Sequence, residues 1–143
     1  MWFKVEARAH GVRTLAIIAK RYPQSEYAGL GMSLNIEWQY LQKTVPGVGS
    51  LMGPIEDSLR EAFFLALLVG EEVSSDLREI LGHSMKLRSL GLPHPRLLAD
   101  SAYSTSKAAR EVLVGPLIGG TTLNYVVHKC CVHRASADGR KHR

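Results

Sequence analysis

Apolar residues recur three and four positions apart along almost the whole chain, and strict alternation over strand lengths is scarce. This spacing places apolar side chains on one face of an α-helix. The clearest such stripe consists of Tyr27, Leu30, Leu34, Trp38 and Leu41. We therefore predict an all-α fold, with about five to six helices in an irregular bundle.

Prolines, glycines and short polar residues give the expected helix bounds. We predict helices at about residues 3–20, 23–45, 54–69, 75–81 and 96–113, and a last helix from about residue 122. Asp76 and Glu79 resemble a capping box at the fourth helix. Residues 85–95 contain one glycine and two prolines, which predict an extended connector with at most one short strand. Gly115 and Pro116 are expected to kink or end the fifth helix.

The chain is long enough for one hydrophobic core, with 143 residues of which 45% are hydrophobic. Its longest apolar run, residues 62–69, is far shorter than the roughly 20 residues of a membrane span. The first residues lack the charged-then-apolar order of a secretory signal, and the two cysteines, Cys130 and Cys131, are adjacent. We therefore expect an intracellular protein with reduced thiols, without distinguishing cytoplasm from nucleus.

Basic residues concentrate at the carboxyl end. Residues 128–143 contain one acid, Asp138, against five basic residues: Lys129, Arg134, Arg140, Lys141 and Arg143. This distribution suggests a helical domain at residues 1–127, with a sub-division within 85–95 left open, and a basic C-terminal tail at 128–143. A polyanion partner and a solvated terminus explain the charge equally well.

Two segments carry weak signals for a ligand. The glycine spacing of residues 115–122 is that of a phosphate-binding loop, but Thr121 stands where the lysine is needed, which favours a plain interhelical turn. The segment 128–133 holds two histidines and two cysteines, but adjacent cysteines do not match the separated pairs of a zinc site. We therefore expect no metal, no cofactor and no catalytic residue.

Several phrases of the sequence, in their order, resemble retrotransposon-encoded reverse transcriptase polyproteins. These phrases are LAIIAKRYPQSEYAGL at 15–30, EWQYLQKTVP at 37–46, PIEDSLR at 54–60, LGLPHP at 90–95 and YSTSKAA at 103–109. The matching part of that family lies just after the polymerase palm. The resemblance therefore implies a thumb-like or connection-like helical segment that helps hold template and primer.

The same resemblance implies what this chain lacks. The paired aspartates that bind two catalytic magnesium ions in the palm of such polymerases do not occur in these residues, so no RNA-directed DNA polymerase activity is expected from this chain alone. Weak, sequence-independent nucleic-acid binding needs only positioned cations. The candidate residues are Lys129, Arg134, Arg140, Lys141 and Arg143, with Lys20 and Arg21 as lesser candidates.

The alternative is a helical protein-protein interaction module without nucleic-acid binding. In this interpretation the apolar run Phe63-Phe64-Leu65-Ala66-Leu67-Leu68 contacts a partner, such as a polymerase palm domain.

Overall fold

The computed structural model describes the backbone of residues 2–141 and, within that range, the side chains of all residues except 136 and 138–141. This part of the chain consists of six helices and two short 3₁₀ turns, and it contains no strand. The prediction of an all-α fold with about five to six helices is confirmed.

Two of the six helices contain a π-helical segment. Helix α1 spans Trp2–Ala19. Helix α2 covers residues 23–44 and is π-helical at Leu30–Leu34, and helix α3 covers residues 53–67 and is π-helical at Leu59–Phe64. The remaining helices are α4 at Ser75–Gly82, α5 at Pro95–Gly119 and α6 at Tyr125–Lys141. The 3₁₀ turns are Val48–Leu51 and Met85–Leu87.

The hydrophobic core lies between α1, α2 and α3. Helix α1 contributes small apolar residues, and larger side chains of α2 and α3 fill the space beside them. Trp38 is almost fully buried, and the rings of Phe63 and Phe64 meet edge to face with centroids 6.0 Å apart. Because Phe63 and Phe64 are fully buried, the prediction that the run 63–68 forms a partner surface is wrong for its two aromatic residues.

Helix α5 connects this core to α6. The first half of α5 packs against the end of α2 and against the 3₁₀ turn Val48–Leu51, and α6 packs against α5. In the described side chains beyond Ala99, none is buried on α5 or α6. The second half of α5 and α6 therefore form a helical hairpin without a covering layer.

The ends of α5 and α6 differ from the prediction. Of the two expected effects of Gly115 and Pro116, a kink or an end, the end is wrong, because helix α5 continues through Pro116 to Gly119. Pro116 lies in the last turn, where its missing N–H costs one hydrogen bond, and Gly120 ends the helix in the left-handed conformation with φ 61°. Asn124 Oδ1 accepts hydrogen bonds from the N–H groups of Val126 and Val127, which places the start of α6 after residue 122.

Two smaller features also differ from the prediction. At α4 the cap is Ser74, whose hydroxyl accepts a hydrogen bond from the Leu77 N–H at 3.2 Å, and not a box between Asp76 and Glu79. The connector at residues 85–95 begins with a 3₁₀ turn in place of extended chain, and it has no strand, in agreement with the prediction of at most one short strand.

Candidate nucleic-acid interface

Helix α6 has one face turned toward α5. Its half-buried residues are His128, Cys131, Val132, Ala135 and Ala137, of which the first four have the helical spacing i, i+3, i+4 and i+7. Since α6 packs on α5, this stripe forms the contact between the two helices. The other side of α6 is left to solvent.

Basic side chains lie on that other side. Lys129, His133 and Arg134 are exposed. Lys129 and Arg134 are five positions apart, which corresponds to about 7.5 Å along the helix axis. These cations can contact phosphate oxygens without removing any side chain from the core.

Among the other predicted binding residues, the structure describes the side chains of Lys20 and Arg21 alone. Arg140 and Lys141 lie on the backbone of α6, but their side chains are outside the described residues, as is the whole of Arg143. Lys20 and Arg21 are exposed just after α1, where the Arg21 guanidinium lies 5.4 Å from the centre of the Tyr22 ring. Because α1 packs on α2 and α3 and α6 packs on α5, the predicted residues form two sets in different parts of the fold.

Helix α5 adds exposed basic residues that were not predicted from the sequence. Lys107 and Arg110 are exposed on the helix that carries α6. Lys107 Nζ lies 3.9 Å from Glu111 Oε1, and Arg110 Nε donates to the Ser106 carbonyl at 3.3 Å. Residues 95–141 contain seven Lys or Arg against three acids. The sequence holds no signal that groups these two with α6, because only the packing of α6 on α5 brings them into one unit.

A second polar cluster is buried between α3, α4 and the connector. Arg78 donates to both carboxylate oxygens of Glu56, at 2.7 and 2.8 Å, and to the Leu92 carbonyl at 2.8 Å. His94 Nε2 lies 3.5 Å from Glu56 Oε1, and its Nδ1 has no hydrogen-bond partner among the described atoms. Burial lowers the pKa of His94, although the Glu56 carboxylate acts in the opposite direction.

This cluster links α3, α4 and the connector. Both oxygens of Glu56 are engaged by Arg78, so the carboxylate is already paired. This cluster was not predicted from the sequence, because the helix dipole alone accounts for a glutamate in the first turn of a helix and Arg78 lies 22 residues away.

The two segments with weak ligand signals are residues 115–122, which form the end of α5 and the turn after it, and residues 128–133, which are helical. Residues 115–119 belong to α5, so they do not form a phosphate-binding loop. Cys130 is exposed whereas Cys131 is on the half-buried stripe. Within the described part of the chain, no three His, Cys, Asp or Glu residues are grouped as metal ligands. Among the helices of residues 2–141, none is both long and apolar enough to cross a membrane.

The comparisons with known proteins give no relative for this arrangement. No protein-family model, no curated protein and no solved structure matches the chain.

Proposed function

We propose that this chain is a non-catalytic, thumb-like helical segment of a retroelement reverse transcriptase that binds nucleic acid weakly and without sequence preference. The observation that carries the binding part is the position of Lys129, His133 and Arg134 on the exposed side of α6. The family part rests on the ordered sequence phrases, with which an all-α fold is compatible.

The expected affinity is low, because only a few cations are available to neutralise phosphates. Each phosphate neutralised by Lys or Arg releases condensed counterions, so binding weakens as salt increases. Sequence-independent binding of this kind has a Kd of about 10⁻⁴ to 10⁻⁶ M at physiological salt.

A salt titration tests the binding. We expect a labelled oligonucleotide to bind at low salt, with log Kobs falling linearly as log salt rises. The double variant Lys129→Ala, Arg134→Ala should weaken binding and reduce the slope by about one unit for each lost phosphate contact. Lys4→Ala, Arg13→Ala is the matched control, because it removes two exposed cations from α1. No binding at low salt, or equal losses in both variants, would refute the proposal.

A protein-interaction module is the second candidate. It is favoured by exposed apolar side chains around the turn between α5 and α6, namely Leu117, Ile118, Tyr125 and Val126. The hairpin has no covering layer among the described residues, which is consistent with a protein partner, such as a polymerase palm domain, that packs against it. Light scattering of the purified chain distinguishes the two candidates. A monodisperse monomer at high concentration argues against an exposed apolar surface that binds other proteins.

A further inference from the structure

An open groove of about 420 Å³ lies between the start of α2, the end of α3, helix α4 and the connector. Its walls are mainly apolar and include Leu67, Leu68, Ile80, Leu81 and Leu90. The volume is within the range of ordinary small-molecule sites. None of the residues that line it belongs to α5 or α6, so the groove is separate from the surface proposed to bind nucleic acid.

The hydroxyl groups in the groove already donate hydrogen bonds to backbone carbonyls. The Tyr27 hydroxyl donates to the Leu90 carbonyl, and the Ser89 hydroxyl donates to the Ile80 carbonyl. The remaining polar side chains in the lining are Gln24 and Arg88, and both are exposed. The groove therefore presents a hydrocarbon surface with two donors at its edge.

Arg88 determines the charge of a matching ligand. It is the one charged residue in the lining, and no acid accompanies it there. A guanidinium pairs with a carboxylate through two parallel hydrogen bonds, and Gln24 can donate a further one. A ligand that fits both the walls and the edge has an aliphatic chain and one anionic head.

We propose that this groove binds a medium-chain aliphatic carboxylate. The chain lies against the leucine and isoleucine side chains, and the carboxylate pairs with Arg88. This binding is independent of nucleic-acid binding by α6.

Calorimetric titration with three probes of equal chain length tests the proposal. Decanoate and decyltrimethylammonium are used below the concentrations at which they form micelles, and decanol is used below its solubility limit. We expect one saturable site for decanoate, at least about tenfold weaker binding of decanol, and the weakest binding for the cationic probe. Equal binding of decanoate and decanol, or titrations that do not saturate, would overturn the proposal.

Substitutions at Arg88 separate charge from backbone effects. Arg88 has φ 59°, a left-handed conformation that asparagine tolerates well. We expect Arg88→Asn to reduce decanoate affinity to that of decanol, leaving decanol binding unchanged, and Arg88→Lys to retain most of the decanoate affinity. Lys86→Asn removes an exposed cation two residues away that does not line the groove, and it should change neither affinity. Unchanged decanoate binding by Arg88→Asn would refute the role of Arg88.

Discussion

Arg78 and Glu56 form a bidentate ion pair in which the Arg78 side chain is 4% exposed and the Glu56 side chain 6% exposed. Arg78 also donates to the Leu92 carbonyl, and its guanidinium lies 5.0 Å from the centre of the Phe64 ring. One buried arginine thus connects α4 to α3 and to the connector. Because α4 is only eight residues long, this pair is a main reason that it keeps its position.

Removal of one partner of this pair is expected to be strongly destabilising. Arg78→Met leaves the Glu56 carboxylate buried without its cation, and we expect a loss of about 3–5 kcal/mol in the free energy of unfolding. Arg8→Met is the control, since it removes a more exposed pair with Glu37 and should cost less than about 1 kcal/mol. Urea unfolding measures both losses, and losses of equal size would contradict the argument.

His94 makes the stability of the fold depend on pH. Its pKa in the folded chain is lowered from 6.5, first by burial, with Arg78, Arg60 and Arg96 acting in the same direction and Glu56 against them. The unfolded chain therefore binds this proton more readily, and the contribution of His94 to stability is lost as pH falls below 6.5.

Urea midpoints at pH values of about 7.5 and 5.5 test this dependence. We expect the free energy of unfolding to fall more in the parent chain than in His94→Gln, in which the group no longer titrates. His10→Gln removes an exposed histidine of α1 and should behave like the parent chain. A fall of the same size in His94→Gln would show that His94 is not the source.

The sequence predicted those features that depend on residues close together in the chain. The stripe that includes Leu30, Trp38 and Leu41 has helical spacing, and these side chains are buried. The end of α5 was misjudged, since the effect of Pro116 on a helix depends on how many turns follow it, and Gly120 ends the helix within one turn. The pairing of Glu56 with Arg78 was not predicted, because their contact is set by packing between helices.

Prediction of the candidate site was likewise limited to residues that lie close together in the chain. Lys129 and Arg134 were identified because they belong to a local excess of charge, and the structure adds only which side of α6 they occupy. Lys107 and Arg110 were missed, since nothing in the sequence says that the hairpin joins them to the same unit as α6. Spatial grouping of charges on two helices requires the fold.

Gly49 allows the 3₁₀ turn Val48–Leu51 to approach α5 closely. A Cβ atom at this position would lie 3.0 Å from the Arg96 carbonyl oxygen and 3.1 Å from the Ala99 Cβ. We expect Gly49→Ala to lower the free energy of unfolding by about 1–3 kcal/mol, because the backbone must shift. A Cβ at Gly31 on α2 meets nothing within 4 Å, so Gly31→Ala should be neutral or stabilising by about 0.5–1 kcal/mol. Thermal and urea unfolding measure both, and a neutral Gly49→Ala would contradict the close approach.

The hairpin of α5 and α6 should open more easily than the core. Helix α3 contributes four fully buried side chains, Ile55, Leu59, Phe63 and Phe64, whereas no described side chain of α6 is buried. Local opening of α6 therefore exposes little additional apolar surface and costs less free energy. We expect amide hydrogens of α6 to exchange at least about tenfold faster than those of α3 in the free chain. Equal protection of the two helices would contradict this expectation.

Binding of nucleic acid should reduce this difference in exchange rate between α6 and α3. If phosphates bind Lys129 and Arg134, they stabilise the closed form of α6, so an oligonucleotide at low salt should slow exchange in α6 and leave α3 nearly unchanged. The double variant Lys129→Ala, Arg134→Ala should lose most of this added protection while keeping the exchange of the free chain. Hydrogen exchange followed by mass spectrometry measures both helices in one sample. Protection that rises equally in α3 and α6 would indicate general stabilisation of the fold, and it would argue against a contact on α6.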